Sequence, residues 1–299
     1  MSIQIRPNLF VVGAPKCGTT SLHSYLAQHP QVFMSALKEP RFWSDDLRAQ
    51  GRAFHRSVYR RHIQSLRGLL TLPSCIWGQL RANPTRRLGI EELDAYLSLF
   101  EQADPKRHRY VGESSADSMW SEQAAGRIAE FCPDARIIIM LREPLSYIVS
   151  IYREALSGKV GEQVTSLERA LALEPQRRLG NAVPCTARYP FSVCYRLQAH
   201  FDDQVQRFLD VFDRRQIHFI LLEDLAEDAI QCLNHVFSFL ELPAIAGGLD
   251  LEPRNVGNPS RPTELSLAWR KTLREEMGPV VARLEQQTGL DLGRRWGYP

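Results

Sequence analysis

The sequence predicts an α/β fold in which helices cover both faces of a parallel sheet. Short apolar runs rich in β-branched residues recur along the chain. The clearest, RIIIML at 136–141, is typical of a strand that is buried on both faces. Segments of helical periodicity separate these runs, and this alternation is the pattern of parallel strands connected by helices.

Five segments are predicted to form the strands, and helices follow most of them. The predicted strands are 8–13, 32–34, 109–113, 136–141 and 216–222. The predicted helices are 19–28, one from Pro144, the amphipathic stretch 192–213, 223–242 and one from Thr263. The segment 45–105 has no strong strand pattern and is largely helical in periodicity. We therefore expect it to be a helical insertion that shapes an acceptor pocket.

Length and composition favour a single domain over residues 1–299, because 299 residues can bury one substantial core. No apolar stretch reaches the roughly 18 residues that would span a bilayer, and the N-terminus lacks a signal-peptide pattern. The net charge of +3 includes no basic run, which argues against nucleic-acid binding. The six cysteines show no metal-ligand spacing. We expect a cytoplasmic protein without a membrane span.

The segment VVGAPKCGTT at 11–20 predicts a phosphate-binding turn. An apolar strand ends at Gly13, four residues intervene, and Gly18 precedes a helix whose N–H groups and dipole favour an oxyanion. The spacing is nearly that of the triphosphate loop G-x-x-x-x-G-K-[ST]. However, the lysine is Lys16, inside the turn, and Thr19 occupies the usual lysine position. This displacement indicates an anion other than a magnesium-bound triphosphate.

A second segment, ALKEPRFWS at 36–44, follows the short second strand. Glu39 is expected at the same sheet edge as the turn, because ligands bind at the carboxyl ends of strands in open α/β sheets. A carboxylate next to a bound anion is unfavourable unless it has a proton to accept. The alternative is a solvated glutamate paired with Lys38 or Arg41.

Two further segments end at this edge. In LREPLSYIVS at 141–150, Arg142 follows the strongest strand, and Ser150 lies about two helical turns later, so both can converge on one phosphate. The loop EPRNVGNPSRPTE at 252–264 carries Ser260 and Arg261 and has the punctuation of a loop that closes over a ligand, or of a plain connector.

Taken together, these segments resemble the sulfotransferases that use 3′-phosphoadenosine 5′-phosphosulfate (PAPS). The resemblance is closest to the branch that includes the heparan sulfate and bacterial small-molecule enzymes, and it extends from residue 8 to about 265. The order and spacing of the motifs make it specific. It implies a P-loop-like α/β fold, PAPS as donor, 3′-phosphoadenosine 5′-phosphate (PAP) as product, and no metal.

The resemblance also implies roles for individual residues. Lys16 matches the lysine at the bridging and sulfuryl oxygens, and Arg142 and Ser150 match the pair that holds the 3′-phosphate. Glu39 matches the glutamate proposed as the base that deprotonates the acceptor, so Lys16 and Glu39 are the predicted catalytic residues. The predicted donor-binding residues are Pro15, Lys16, Cys17, Gly18, Thr19, Thr20, Ser21, Arg142, Ser150, Ser260 and Arg261.

Two departures from the heparan branch lie on the acceptor side. Ser114 stands where that branch has a lysine, and Arg41 stands where a histidine often follows the base. Together with the modest net charge, they favour a small-molecule acceptor over a polyanionic polymer. The rival bases are His55 and His62.

Three other functions stay open at this point. A carbohydrate or glycan sulfotransferase is the first. A P-loop kinase or NTPase is the second, although it would need a lysine before Thr19 or Thr20 and an acidic magnesium ligand. A non-catalytic nucleotide-binding protein would retain the fold without the chemistry.

Overall fold

The computed structural model describes residues 5–64, 89–159, 161–245, 247–254, 263 and 265–299. The strands are β1 (Leu9–Gly13), β2 (Val32–Met34), β3 (Tyr110–Ser114), β4 (Arg136–Leu141) and β5 (Ile217–Leu221). Each lies within two residues of its predicted bounds. Strand residues are buried because Leu, Ile, Val and Phe side chains on both faces of a parallel sheet are covered.

Helices connect the strands and flank the sheet. They are α1 (Thr19–Leu26), α2 (Asp45–Gln64), α3 (Leu93–Leu97), α4 (Ala124–Phe131), α5 (Pro144–Glu154), α6 (Leu167–Ala172), α7 (Glu174–Arg178), α8 (Tyr195–Gln198), α9 (Phe201–Leu209), α10 (Leu222–Glu227), α11 (Ala229–Phe239), α12 (Leu267–Thr288) and α13 (Leu292–Trp296). The predicted α/β fold with a parallel, helix-flanked sheet is confirmed.

The prediction of one helix over 223–242 is wrong, because the chain forms two helices there. Asp228 leaves the helical conformation at φ −144° and ψ 88°, and its side chain accepts a hydrogen bond of 2.9 Å from the Gln231 N–H. An aspartate at this position caps the next helix in place of continuing the first one.

Strand order places the carboxyl end of β1 at the centre of the sheet. The order is β2-β3-β1-β4-β5, with every neighbouring pair parallel. The chain passes from β1 to the edge strand β2, returns to β3 between these two strands, and then crosses to β4 on the other side of β1. A crevice opens at such a switch point, which is where open α/β sheets bind ligands.

The segment 45–105 is helical where the structure describes it, through α2 and α3. Residues 65–88 of this segment lie outside the described residues. The single-domain assignment and the role of this insertion therefore stay predictions. Among the described helices, none combines the length and the apolar character needed to cross a membrane.

Candidate active site

The turn between β1 and α1, Gly13–Gly18, is called the glycine loop below, and its glycines are required by geometry. Gly18 has φ 89°, and a Cβ there would lie 2.9 Å from Leu222 Cδ1. A Cβ on Gly13 would lie 2.8 Å from the Ala116 carbonyl oxygen. Lys16 also has positive φ, at 64°. The loop therefore turns its main chain tightly, and only glycine fits at its two ends.

Helix α1 begins directly after this loop with no side chain capping its N-terminus. Its first N–H groups, at Thr19 and Thr20, are thus open to an anion, as the sequence predicts. The Cys17 side chain is fully buried, and burial raises the pKa of its thiol well above the ordinary value. Cys17 is therefore a packing residue of the loop.

The Ser21 side chain contacts the main chain of Arg254. Its Oγ accepts a hydrogen bond of 2.9 Å from the Arg254 N–H. This contact holds the start of the 252–264 loop against α1, close to the glycine loop. Ser260 and Arg261 lie outside the described residues, so their predicted contacts with the donor stay predictions.

Arg142 lies against the glycine loop, as predicted. Its Nη1 donates to the Lys16 carbonyl oxygen over 3.3 Å. Ser150 is half-buried on α5, two turns into the helix that begins next to Arg142. Neither residue lines the cavity described next, so this pair flanks the loop from another side.

A cavity of about 430 Å³ opens in front of the glycine loop. One wall is the loop and the start of α1, and the others come from three distant segments and the end of α5. The lining residues are Pro15, Lys16, Thr19, Thr20, Lys38, Glu39, Arg41, Ala116, Asp117, Trp120, Ile151, Glu154, Arg188, Tyr189, Ser192 and Gln198. The described part of 45–105 contributes none of them.

Lys16 and Glu39 both face this cavity. Lys16 Nζ lies 3.7 Å from Glu154 Oε2, while Glu39 Oε1 accepts a hydrogen bond of 2.7 Å from Lys38 Nζ. Glu39 Oε2 also accepts from the Ala116 N–H over 3.1 Å. Burial alone would raise the pKa of the Glu39 carboxyl, but the nearby cations, Lys38 first, hold it below its ordinary value. Glu39 is therefore ionised at neutral pH.

Arg41 and Asp117 form a buried pair that the sequence analysis did not find. Arg41 Nε lies 2.7 Å from Asp117 Oδ2, and Tyr189 donates its hydroxyl to the same oxygen over 3.4 Å. Burial raises the pKa of Asp117, and the Arg41 guanidinium opposes this shift. Arg41 was noted as a departure from the family, but nothing in the local sequence pointed to Asp117 as its partner.

Beneath this pair lies a second buried carboxyl group, Glu113 at the end of β3. Ser115 Oγ donates to Glu113 Oε2 over 2.8 Å and accepts from the Arg41 N–H over 2.9 Å. Burial raises the pKa of Glu113 to about 8, against the hydrogen bond from Ser115. Glu113 is thus largely protonated at neutral pH and, through Ser115, supports the backbone at Arg41, close to Glu39.

The histidines occupy other positions. His55 is half-buried on α2 and does not line the cavity, and the side chain of His62 lies outside the described residues. His23, on α1, contacts Ser114 Oγ through Nδ1 at 2.9 Å. Burial and the Lys38 ammonium lower the pKa of His23 to about 4.

One cluster in the described part of the chain has metal-ligand spacing, formed by His200, Asp202 and Asp203. Asp202 is already paired with Arg283 at 2.9 Å, and none of the three residues lines the cavity. The cavity therefore provides cations and ion-paired carboxylates around an anion site. This arrangement suits an anionic ligand at the glycine loop.

Comparisons with known proteins identify the family. The chain belongs to the sulfotransferase family, whose model matches residues 7–246. The crystal structure of a sulfotransferase from Alicyclobacillus acidocaldarius has a TM-score of 0.72 and 29% identity, covering 98% of this chain and 99% of that one. The resemblance stated from the motifs and the fold that it implied are thus both confirmed.

Two curated relatives are longer proteins. Human carbohydrate sulfotransferase 15 is 27% identical over 94% of this chain and 53% of its own length. The bifunctional heparan sulfate N-deacetylase/N-sulfotransferase 1 of Caenorhabditis briggsae is 23% identical over 79% of this chain and 23% of its own length. The chain thus spans about half the length of the first relative.

Proposed function

We propose that this protein transfers the sulfuryl group of PAPS to a hydroxyl or amine of an acceptor, with Glu39 as general base and without a metal. The observation that carries the proposal is the placement of Lys16 and an ionised Glu39 on one cavity in front of an uncapped helix N-terminus. Membership of the sulfotransferase family supports the same reaction.

The donor would lie along the glycine loop. The N–H groups of Thr19 and Thr20 face the position of a 5′-phosphate, and the Lys16 ammonium is close enough to the cavity to reach the phosphosulfate bridge. Arg142 is held against the same loop by the Lys16 carbonyl oxygen. The 3′-phosphate assigned to Arg142 and Ser150 is the group that distinguishes PAPS from ATP.

Transfer forms one bond and breaks another. The acceptor oxygen or nitrogen gives its proton to Glu39 and forms a bond to sulfur, while the bond from sulfur to the 5′-phosphate oxygen breaks. That oxygen keeps the electron pair and leaves as part of PAP, and Lys16 stabilises its negative charge. Lys38 and Arg41 keep Glu39 ionised and in position.

A magnesium-dependent kinase is less consistent with the site. Thr19 occupies the position of the kinase lysine, and the cavity carboxylates Glu39 and Asp117 are each bound to a cation of the protein. Such carboxylates are poor ligands for magnesium, which prefers oxygen donors that are not already neutralised.

The acceptor class has two candidates. A small molecule fits a cavity of about 430 Å³. A carbohydrate is supported by the similarity to human carbohydrate sulfotransferase 15 and by the cavity wall, where Trp120 and Tyr189 supply rings and Asp117 supplies a buried oxygen without a hydrogen-bond donor. A cytoplasmic location also stays a prediction.

Binding of PAP against binding of ATP with magnesium tests the donor assignment. Isothermal titration calorimetry on the full chain should show PAP binding at least tenfold tighter, and Arg142→Ala should weaken PAP more than ATP. The matched control is Arg178→Met, an exposed arginine outside the site. Tighter binding of ATP with magnesium would overturn the proposal. Transfer of label from ³⁵S-PAPS to an acceptor panel then tests the reaction.

A further inference from the structure

Four cations line the cavity, and three of them face a carboxylate. Lys16 lies 3.7 Å from Glu154, Lys38 lies 2.7 Å from Glu39, and Arg41 lies 2.7 Å from Asp117. The fourth is Arg188. Its guanidinium forms no ion pair with any carboxylate in the part of the chain that the structure describes.

The backbone that carries Arg188 is held firmly. Its neighbours Ala187 and Tyr189 are buried, and the Tyr189 ring stacks on Phe191 with centroids 5.3 Å apart. The Arg188 carbonyl oxygen lies only 3.2 Å from where a Cβ on Gly51 of α2 would be. The side chain is half-buried, so it is presented to the cavity from a fixed segment.

The charge of Arg188 acts on the wall opposite the glycine loop. Burial raises the pKa of Asp117, and Arg188 joins Arg41 in opposing that shift. Burial likewise raises the pKa of Tyr189, and Arg188 opposes it. Arg188 is therefore placed among the acceptor-side residues and not among those of the loop.

Two residues of the cavity wall each have a buried side-chain oxygen that receives no hydrogen bond within the described part of the chain. These oxygens are Asp117 Oδ1 and Gln198 Oε1. Buried acceptors are normally satisfied, so these two call for donors from a ligand. The cavity thus combines one unpaired cation with two unpaired acceptors, which suits a molecule that carries both an anionic group and hydroxyl groups.

We propose that Arg188 determines acceptor specificity by binding an anionic oxy group of the acceptor, a carboxylate or a sulfate ester, while Asp117 and Gln198 accept from its hydroxyl groups. A guanidinium binds such a group through two parallel hydrogen bonds, which fixes orientation as well as position. This inference rests on the proposed function, because it names the acceptor of that reaction.

Saturation-transfer and titration NMR on the PAP-loaded protein test this subsite without turnover. The probes are glucuronate, glucose 6-sulfate and neutral glucose. At least one anionic probe should bind about tenfold tighter than glucose, and Arg188→Met should remove this difference, consistent with the loss of a charge-assisted pair. Arg188→Lys should restore part of it, and Arg178→Met should change nothing.

The two anionic probes separate the sources of the charge, since preference for glucuronate assigns a carboxylate and preference for glucose 6-sulfate assigns a sulfate ester. Equal binding of all three sugars, no binding of either anionic sugar, or an unchanged preference in Arg188→Met would overturn the inference. PAP binding is measured in the same samples. If PAP binds and the anionic sugars do not, only the subsite fails; if PAP itself does not bind, the proposed function fails.

Discussion

The two sides of the cavity are built in different ways. On the donor side, the glycine loop and the start of α1 form one continuous stretch, and its main chain makes the anion site through positive φ angles at Lys16 and Gly18. On the acceptor side, the wall is assembled from side chains near residues 39, 117, 188 and 198. The anion site of the glycine loop is therefore local in the sequence, and the wall opposite it is not.

The difference follows from the ligands. A phosphate or sulfate group is bound well by main-chain N–H groups, which any sequence supplies once glycines allow the turn. An acceptor differs from its competitors in its side groups, and the side chains proposed to bind these groups include Arg188 and Asp117. Substitutions on the donor side should hence affect all acceptors alike, whereas those on the acceptor side should depend on the acceptor.

The largest effect is expected at the boundary between the two sides. Glu39→Gln keeps the shape of the side chain but cannot accept the proton, so kcat should fall by roughly 10²–10⁴ with every acceptor, while the Kd for PAP stays within about twofold. Single-turnover assays with ³⁵S-PAPS and calorimetry measure the two quantities. Exposed Glu122→Gln is the matched control and should retain wild-type turnover.

The pH profile supplies a second readout of the same residue. Since Lys38 and Arg41 overcome the effect of burial and lower the pKa of Glu39, the base stays ionised as the pH falls to 5. Wild-type kcat should therefore not decline between pH 7 and about 5. If Glu39→Gln keeps full activity while Glu154→Gln loses it, the base is Glu154.

The same contrast explains how far the sequence could predict the site. Gly13, Lys16 and Gly18 lie close together in one motif, so spacing alone predicted the turn, while the anion that it binds stays a prediction. Arg142 was predicted because it ends the clearest strand, and the structure places it against Lys16. The strands were predicted from their apolar runs. The helix break at Asp228 was not predicted, because a single capping residue hardly alters the helical periodicity of the stretch around it.

The acceptor wall could not be predicted in this way. Asp117 is separated from Arg41 by 76 positions and from Tyr189 by 72, and no periodicity connects them. Their pairing depends on the parallel register of β2 and β3, which brings residues after both strands to one edge. Arg188 stands in a segment with no motif, so only the folded chain shows that it lines the cavity.

A smaller effect is expected on the stability of the folded state, and it comes from Glu113, beneath the acceptor side of the cavity. Burial raises the pKa of Glu113 to about 8, so the folded state holds a proton that the unfolded state releases near pH 4.5. The resulting stability is fully present below that pH and is lost as the pH rises towards 8. In Glu113→Gln, which still accepts from Ser115, this loss should disappear.

Urea denaturation at pH 5 and pH 8 measures this effect. The free energy of unfolding of the wild type should decrease between these pH values by about 2–4 kcal/mol more than that of Glu113→Gln. Glu122→Gln should follow the wild type. Parallel pH dependence of wild type and Glu113→Gln would show that Glu113 is ionised in the folded protein.

The smallest expected effect tests whether the donor side is as local as it appears. The chain end reaches this side: the Tyr298 hydroxyl donates to Glu143 Oε1 over 2.8 Å. Glu143 caps α5 by accepting from the N–H groups of Leu145 at 3.0 Å and Ser146 at 2.6 Å, and it directly follows Arg142. Tyr298 thus positions the turn that carries Arg142, the arginine proposed to bind the 3′-phosphate.

Tyr298→Phe removes only this hydroxyl. The Kd for PAP should rise by about two- to fivefold, because the lost hydrogen bond acts on PAP only indirectly, through Glu143 and Arg142. The KM of the acceptor should not change. Tyr152→Phe is the matched control. Tyr152 lies on α5, the helix that Glu143 caps, and its hydroxyl donates to the Val164 carbonyl oxygen over 2.9 Å. Both variants should lower the melting temperature, but only Tyr298→Phe should weaken PAP. If both variants change the Kd for PAP equally, Tyr298 stabilises the fold as a whole and does not position Arg142 for PAP.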